Sequence, residues 1–432
     1  PVLPRLIQRL RRLAHWDRTF SKGGQRRITV VSQFFPPDFA ATGQLLDDLT
    51  ARLASTGLQV QVLSGMPAYA FNQADAPPVE FQAGRVIFRS RASRFWPKRI
   101  RGRAVNGLLY CLRTSLRLLK YARRGDLIIY TTEPPYLPVV GWIVHRLTCT
   151  PLFRSTPYVL ILYDLYPDVL VELGVLKERH WFTRFWRECN RYAYRSARDI
   201  VVLSETMRRR VEFFTPDVAS RITVIPSWAD TDAIMPRAKS DNWFVQRYGL
   251  QNTFNVLYSG NQGRCHDLVT LMGAAMLLRR NPTIRFVFIG NGAQNERIRS
   301  LAVDWGLTNC LFLPYQEYEV LPWSLSCADV AVVSLGITSV GLVAPSKIYG
   351  HMAAGTPVAL ISPHDSDLRD LIDGKLGGWF TNGDGEKLAN WIESLSSDQS
   401  RLETLGASSR RLAMQQFSGS SAAEAYLKLI TR

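Results

Sequence analysis

The stretch ITVVSQFFPPDFAATGQLLDDLTARLASTGLQVQVLSG, Ile28 to Gly65, places two apolar runs on either side of one helical repeat. ITVVSQFF reads as a strand buried on both faces, PPDFAATG as a turn, LLDDLTARLAST as an amphipathic helix and QVQVLSG as a second strand. A strand, a crossover helix and a returning strand make one β-α-β unit, whose strands pair in parallel. Further strands are predicted at RVIFRS (Arg85 to Ser90), DLIIYTT (Asp126 to Thr132), YVLILYD (Tyr158 to Asp164), DIVVLS (Asp199 to Ser204) and ITVIPS (Ile222 to Ser227). Helical segments lie between most of them, which predicts a parallel sheet covered on both faces.

After a polar linker around Ile234 to Asn242 the rhythm restarts with FNVLYSG, FVFIGNG, CLFLPY, DVAVVSL and PVALIS, again with helical segments between. The expected fold class is therefore α/β, with two Rossmann-like, doubly wound halves in tandem. Ligands in such sheets bind outside the carboxyl ends of the strands. The expected division is a basic amphipathic segment over 1–25, a first domain over 26–235, a second over 236–410, and a C-terminal segment over 411–432 whose helix returns to the first domain.

A chain of 432 residues is long enough for two such cores, and 46% hydrophobic residues mark it as globular. Its 53 Lys and Arg exceed its 36 Asp and Glu, a net charge of +17 that calls for an anionic partner. The six cysteines are scattered without metal-ligand spacing, which fits a reduced, cytoplasmic setting. Apolar runs fall short of the ~20 residues of a spanning helix. The opening PVLPRLIQRLRRLAHW has leucines at helical spacing among arginines and no signal-peptide core; Pro1 in place of Met suggests processing or a fragment.

The segment PSKIYGHMAAGTPVALIS, Pro345 to Ser362, puts Ser346 and Lys347 at the start of an otherwise apolar helix. Unpaired N–H groups and a lysine there suit an anion such as a diphosphate, although a plain N-cap beside a solvated lysine has the same sequence. Glycine-bearing strand ends at Gly260-Asn261 and Gly290-Asn291-Gly292 allow close approach of backbone.

In this order, QFFPPDFAATGQLLDDLTARLASTG, YDLYPD, VVLSETM, ITVIPSWAD, VLYSGNQGR, FIGNG and GLVAPSKIYGHMAAGTPV resemble the retaining family-4 glycosyltransferases of the GT-B fold. The resembling branch builds bacterial surface polysaccharides from nucleotide sugars. The resemblance runs from about Arg26 to Thr431. It implies two domains facing a cleft, a UDP- or GDP-sugar as co-substrate on the second, an acceptor on the first, and neither cofactor nor metal. It implies that Arg264 and Lys347 neutralise the departing diphosphate with Ser346 beside them. It further implies donor contacts from Gly260, Asn261, Gly290, Asn291, Gly292, Tyr315 and the backbone of Gly341, Leu342 and Val343. In the first half, Asp164 is expected to orient sugar hydroxyls, Gly43 to admit the acceptor or the donor phosphate, and Glu133 and Tyr163 to meet the acceptor, although the prolines after Glu133 in TTEPPY suit a loop-structural role for it. Asp164 at a strand end also suits a helix cap. The resemblance also implies front-face attack in which the leaving phosphate takes the acceptor proton, so no dedicated base is expected.

Five positions depart from the family pattern. Two glutamates of the usual signature fall on Leu342 and Gly350, so their ribose contacts cannot be carried over. Tyr163 stands where relatives often have histidine, and His266-Asp267 where they have a Lys-Gly pair; two such ligands alone are weak grounds for a metal.

No acidic residue occurs between Glu80 and Asp126, where arginines and lysines flank Leu108, Leu109, Leu112, Leu116 and Leu119 at helical spacing. RHWFTRFWRECNRYAYR, Arg179 to Arg195, adds Trp181, Phe182, Phe185 and Trp186. Such stretches suit an anionic membrane surface, or else two core helices with solvated basic faces. They predict a peripheral enzyme on the cytoplasmic leaflet acting on a lipid-linked or glycan acceptor. A nucleic-acid binder, a nucleotide-sugar epimerase or hydrolase of the same fold, and a non-catalytic nucleotide-binding subunit are the competing readings; no nucleic-acid motif supports the first.

Overall fold

A computed structural model describes residues 27–38, 40–67, 76–91, 100–121, 126–148 and 156–432; the expected basic segment over 1–25 lies outside them. Eight strands form one sheet: β1 (Arg27–Val31), β2 (Gln59–Gly65), β3 (Val79–Gln82), β4 (Arg85–Ser90), β5 (Leu127–Tyr130), β6 (Tyr158–Leu162), β7 (Asp199–Val202) and β8 (Ile222–Val224). Their order is β3-β4-β2-β1-β5-β6-β7-β8, with β3 antiparallel to β4 at one edge. The second sheet holds β9 (Phe254–Ser259), β10 (Ile284–Ile289), β11 (Cys310–Leu313), β12 (Val330–Ser334), β13 (Val358–Ile361) and β14 (Gly377–Phe380). Its order is β11-β10-β9-β12-β13-β14, parallel throughout.

Taken in chain order, the second sheet runs 3-2-1-4-5-6, the doubly wound arrangement, and its switch point falls between β9 and β12. In the first sheet the reversal falls between β1 and β5. The strands can be apolar without interruption because both faces of the second sheet are covered. Tyr258, Phe286, Phe288 and Val332 pack into one core, while Leu257, Val287, Ile289 and Val333 pack into the other. This alternation is the period-two geometry of a strand between two layers.

Four helices matter below: α1 (Ala41–Ser55), α2 (Ile100–Tyr121), α3 (Leu137–Thr148) and α4 (Trp181–Ser196). Two more follow the second sheet's switch point, α5 (Lys347–Ala353) and the last helix α6 (Gly419–Thr431). α6 sets Tyr426 against Trp228, ring centroids 6.1 Å apart, and the Ala229 N–H donates to Phe417 O at 3.0 Å. The chain divides into two compact units, Pro1–Ile161 with Ser196–Asp199, and Leu162–Arg195 with Ile200–Arg432. Among the described residues no helix is long and apolar enough to cross a membrane.

Phe286 is fully buried in the second sheet. Phe286→Ala is expected to cost about 3–5 kcal/mol through lost burial and an unfilled cavity, read as a fall in the urea midpoint.

Candidate functional site

In the second unit the chain leaving β9 folds over the chain leaving β10. Gly260 N–H donates to Ile289 O at 2.9 Å, Gln262 N–H to Asn291 O at 2.9 Å, and Gln294 N–H to Gln262 O at 3.0 Å. The Gln294 amide then ties the first loop down, donating to Gly263 O and His266 O, each at 2.7 Å. Tyr315 Oη donates to Asn291 O at 3.0 Å. Gly290 sits at φ +126°, and a Cβ there would lie 2.1 Å from Gly260 O. The immediate reason for this glycine is thus the contact between the two loops; access for a ligand follows from it.

Lys347 opens α5 and reaches these loops. Its ammonium donates to Tyr258 Oη at 2.6 Å and Asn261 O at 3.3 Å, and lies 4.0 Å from the centroid of the Tyr258 ring. Tyr258 Oη in turn donates to Asn261 O at 2.9 Å. Lys347 is half-buried, with no carboxylate paired to it among the described residues. Burial pushes its pKa down to about 7. A hydroxyl, a carbonyl and a π-face stabilise the charge without cancelling it.

Two imidazoles lie near enough to feel that charge. His266 Nδ1 lies 2.7 Å from Ser334 O, so the ring carries its proton on Nδ1 and leaves Nε2 as an acceptor. Burial, then the Lys347 charge, pushes His266 down to about 3. His351, fully buried one turn along α5, is also lowered to about 3 by burial and then Lys347. Neither His351 ring nitrogen meets a hydrogen-bond partner among the described residues. Both rings are neutral at pH 7.

Ser346 precedes α5 with helical backbone angles, and its hydroxyl makes no capping bond, so the plain N-cap role is not the one it performs. Arg264 lies exposed in the loop after Gly263, with no ion pair among the described residues. Asn261 and Asn291 are exposed, and Asn291 Oδ1 accepts from Gly292 N–H at 2.7 Å. Asp267 is a helix cap: it accepts from Thr270 N–H at 3.1 Å, Thr270 Oγ1 at 2.5 Å and Asn382 Nδ2 at 3.0 Å. No group of three His, Cys, Asp or Glu side chains among the described residues could hold a metal ion.

The YDLYPD and GLVAPSK motifs, far apart in sequence, meet in this unit. Asp164 bridges Val343 in antiparallel fashion, and Leu165 N–H donates to Leu342 O at 2.9 Å. The Leu342 and Val343 N–H groups turn back to Ser339 O at 3.2 and 3.4 Å, and the Leu342 side chain is buried. The peptide groups expected to face the donor are therefore largely spoken for within the fold, and this segment shapes the site more than it donates to it. Asp164 is half-buried, and burial pushes its carboxyl up to about 6. Tyr163 is buried. Asp168, the second carboxylate of the motif, pairs with Arg187 Nη2 at 2.5 Å and is structural.

In the first unit the switch point of the sheet gathers Gly43 and Glu133. Gln33 N–H donates to Glu133 O at 2.8 Å, and Thr42 Oγ1 to Glu133 Oε1 at 2.8 Å. A Cβ on Gly43 would lie 3.2 Å from the backbone of Phe34 and Phe35. α1 therefore begins close against the chain leaving β1.

Sequence reasoning missed Tyr258, Gln262, Gln294 and His351. Tyr258 lies in FNVLYSG and reads as a core aromatic; nothing in the sequence marks its hydroxyl as a lysine partner.

Two family models match the chain: "Glycosyl transferase 4-like domain" over residues 42–228 and "Glycosyl transferases group 1" over residues 245–412. The chain is 25% identical over 401 residues to "Probable glycosyltransferase WbjE" of Pseudomonas aeruginosa, covering 91% of this chain and 94% of that protein. It is 23% identical over 368 residues to "Putative colanic acid biosynthesis glycosyl transferase WcaI" of Escherichia coli, covering 80% and 86% respectively. Among solved structures, sucrose-phosphate synthase of Thermosynechococcus elongatus superposes with a TM-score of 0.74 at 18% identity, covering 94% of this chain and 98% of that one. Anabaena HepE in complex with UDP and glucose superposes with a TM-score of 0.69 at 16% identity, covering 94% and 100%.

Gly290→Ala must push the two loops apart. It is expected to cost about 1–3 kcal/mol and to speed amide hydrogen exchange at Gln262, whose N–H bonds across the loops; unchanged exchange there would contradict the loop contact.

Proposed function

Because the chain belongs to the GT-B glycosyltransferases of the family-4 type that serve polysaccharide biosynthesis, we propose that it moves a sugar from a UDP- or GDP-sugar to a lipid-linked or glycan acceptor, with retention, at the cytoplasmic face of the membrane. The observation that carries this reading is the Lys347 ammonium, held at the second sheet's switch point without a carboxylate counterion among the described residues. A diphosphate supplies that missing charge. The solved HepE complexes with UDP and UDP-glucose favour uridine in the donor.

In this reading Lys347, with Arg264 free to swing in, neutralises the diphosphate as the bond from sugar C1 to phosphate oxygen breaks. Ser346, whose hydroxyl is not used for capping, adds a hydrogen bond. The acceptor oxygen bonds to C1 on the same face, and its proton goes to the departing phosphate oxygen. Asp164 accepts from a sugar hydroxyl when ionised. Gly43 and Glu133 meet the acceptor on the first unit, and no metal or cofactor takes part. The ribose is held without side-chain carboxylates at positions 342 and 350, since Leu342 is buried and Gly350 has no side chain.

The test is nucleotide release from a panel of UDP- and GDP-sugars, with and without membrane lipid extract. One donor is expected to turn over only with lipid, and Lys347→Ala to lower kcat/KM about 10²–10³-fold. Unchanged turnover in Lys347→Ala would remove its phosphate role. Release that ignores the acceptor would indicate a hydrolase, and nucleotide binding without release a non-catalytic subunit.

The pH profile is a second check. Asp164 acts ionised, so kcat/KM should fall as pH drops through about 6; Lys347 acts protonated, so it should fall as pH rises above about 7. Asp164→Asn is expected to abolish the acid limb and leave the alkaline one.

A further inference from the structure

Helix α2 carries two apolar faces, and only one of them is packed. Gly107, Tyr110, Cys111, Thr114 and Leu118 are buried. On the other side Leu108 is 61% exposed, Leu112 56% and Leu116 61%, with Val105 and Leu119 also exposed. At ~100° per residue these five side chains fall within an arc of about 80°, opposite the packed face, along about 21 Å of helix. α3, which packs beside α2, adds exposed Ile143 and Leu147 and the exposed Arg146. Leucines at this spacing are consistent with a core helix or with a docking face, and their exposure decides for the second.

We infer that this outer face of α2 enters an anionic lipid leaflet, lying in the plane of the interface with Val105, Leu108, Leu112, Leu116 and Leu119 among the acyl chains. The inference deepens the membrane-face part of the proposed function and rests on that reading for its purpose. Charge selects this occupant. Arg113 is exposed beside the stripe, and no acidic residue lies between Glu80 and Asp126. A second copy docked face to face would set arginine against arginine, and the chain's own opening segment, with Arg5, Arg9, Arg11 and Arg12, would do the same. An anionic leaflet instead pairs with the arginines while the leucines leave water, and the two contributions add. Arg117 lies over the Phe88 ring at 3.8 Å and Arg113 donates to Arg91 O at 2.6 Å; Arg113 is the exposed one of the two and serves as the probe of the charge contribution.

The second basic-aromatic stretch contributes less than its sequence suggests. In α4 Trp181, Phe182 and Phe185 are exposed, but Trp186 is buried, stacked on Tyr166 at 6.3 Å. Arg187 there pairs with Asp168 and Glu178.

The test is co-sedimentation of the full chain with vesicles of phosphatidylcholine alone or mixed with phosphatidylglycerol, at low salt. The full chain should bind the mixed vesicles. A variant carrying Leu108→Ser, Leu112→Ser and Leu116→Ser should bind them at least about tenfold more weakly. Arg113→Glu should lose much of the preference for phosphatidylglycerol. A Leu112→Trp reporter should shift its emission to the blue on the mixed vesicles. Because the substituted leucines are exposed, the triple variant should keep the wild-type melting temperature and UDP affinity, so failure of docking and failure of the transferase reading are read separately. Wild-type vesicle binding by the triple variant, or a reporter that stays water-exposed, would overturn the inference. So would self-association that the triple variant abolishes, which assigns the face to a second copy. Binding seen only after removal of residues 1–25 would assign it to the chain's own segment.

Discussion

The site depends on one charge kept in poor solvent. Lys347 gives up much of its hydration when α5 docks, and what it receives is a tyrosine hydroxyl, a carbonyl and the face of an aromatic ring. Burial drops its pKa to about 7, with no formal negative charge among these partners to offset it, and burial first and the Lys347 charge second keep the neighbouring His266 and His351 neutral. In the proposed function the donor's diphosphate meets this ammonium in a half-buried setting, where the interaction is screened less than at an open surface.

That charge is placed by backbone. The loops after β9 and β10 grip one another through peptide groups and the Gln294 amide, and the Asn261 carbonyl that Lys347 meets belongs to this assembly. On the other side, the bridge from Asp164 to Val343 brings a carboxylate raised to about 6 to the segment that leads into α5. Asp164 thus sits at a strand end bridged to Val343, and Lys347 at the first residue of α5 against loops fastened by main-chain bonds, where a rigid scaffold holds them.

Much of this was legible in the sequence. Apolar runs such as FNVLYSG and FVFIGNG fall into register as β9 and β10 because a parallel strand buried on both faces has no polar face to confuse its reading. Lys347 at the mouth of α5 was legible because a charge at the start of an apolar helix is out of place in a core. Its partner was not, since Tyr258 is a core tyrosine by every local criterion and only the fold brings its hydroxyl to the lysine. Helical spacing could not tell which leucines of α2 point outward, because the helix has an apolar stripe on each side and packing alone distinguishes Leu118 from Leu116. His266-Asp267 read as a pair in sequence, yet the imidazole turns to Ser334 O while the carboxylate caps a helix.

The most direct test is calorimetry of UDP binding at pH 8 in two buffers of different ionisation enthalpy. With a pKa of about 7 the free Lys347 is mostly neutral at that pH, and an anion beside it must draw a proton on, so the account predicts uptake of nearly one proton. Lys347→Met should take up none. A binding enthalpy independent of the buffer in the unsubstituted chain would contradict the account, because Lys347 would then either carry its proton before the nucleotide arrives or take no part in holding it.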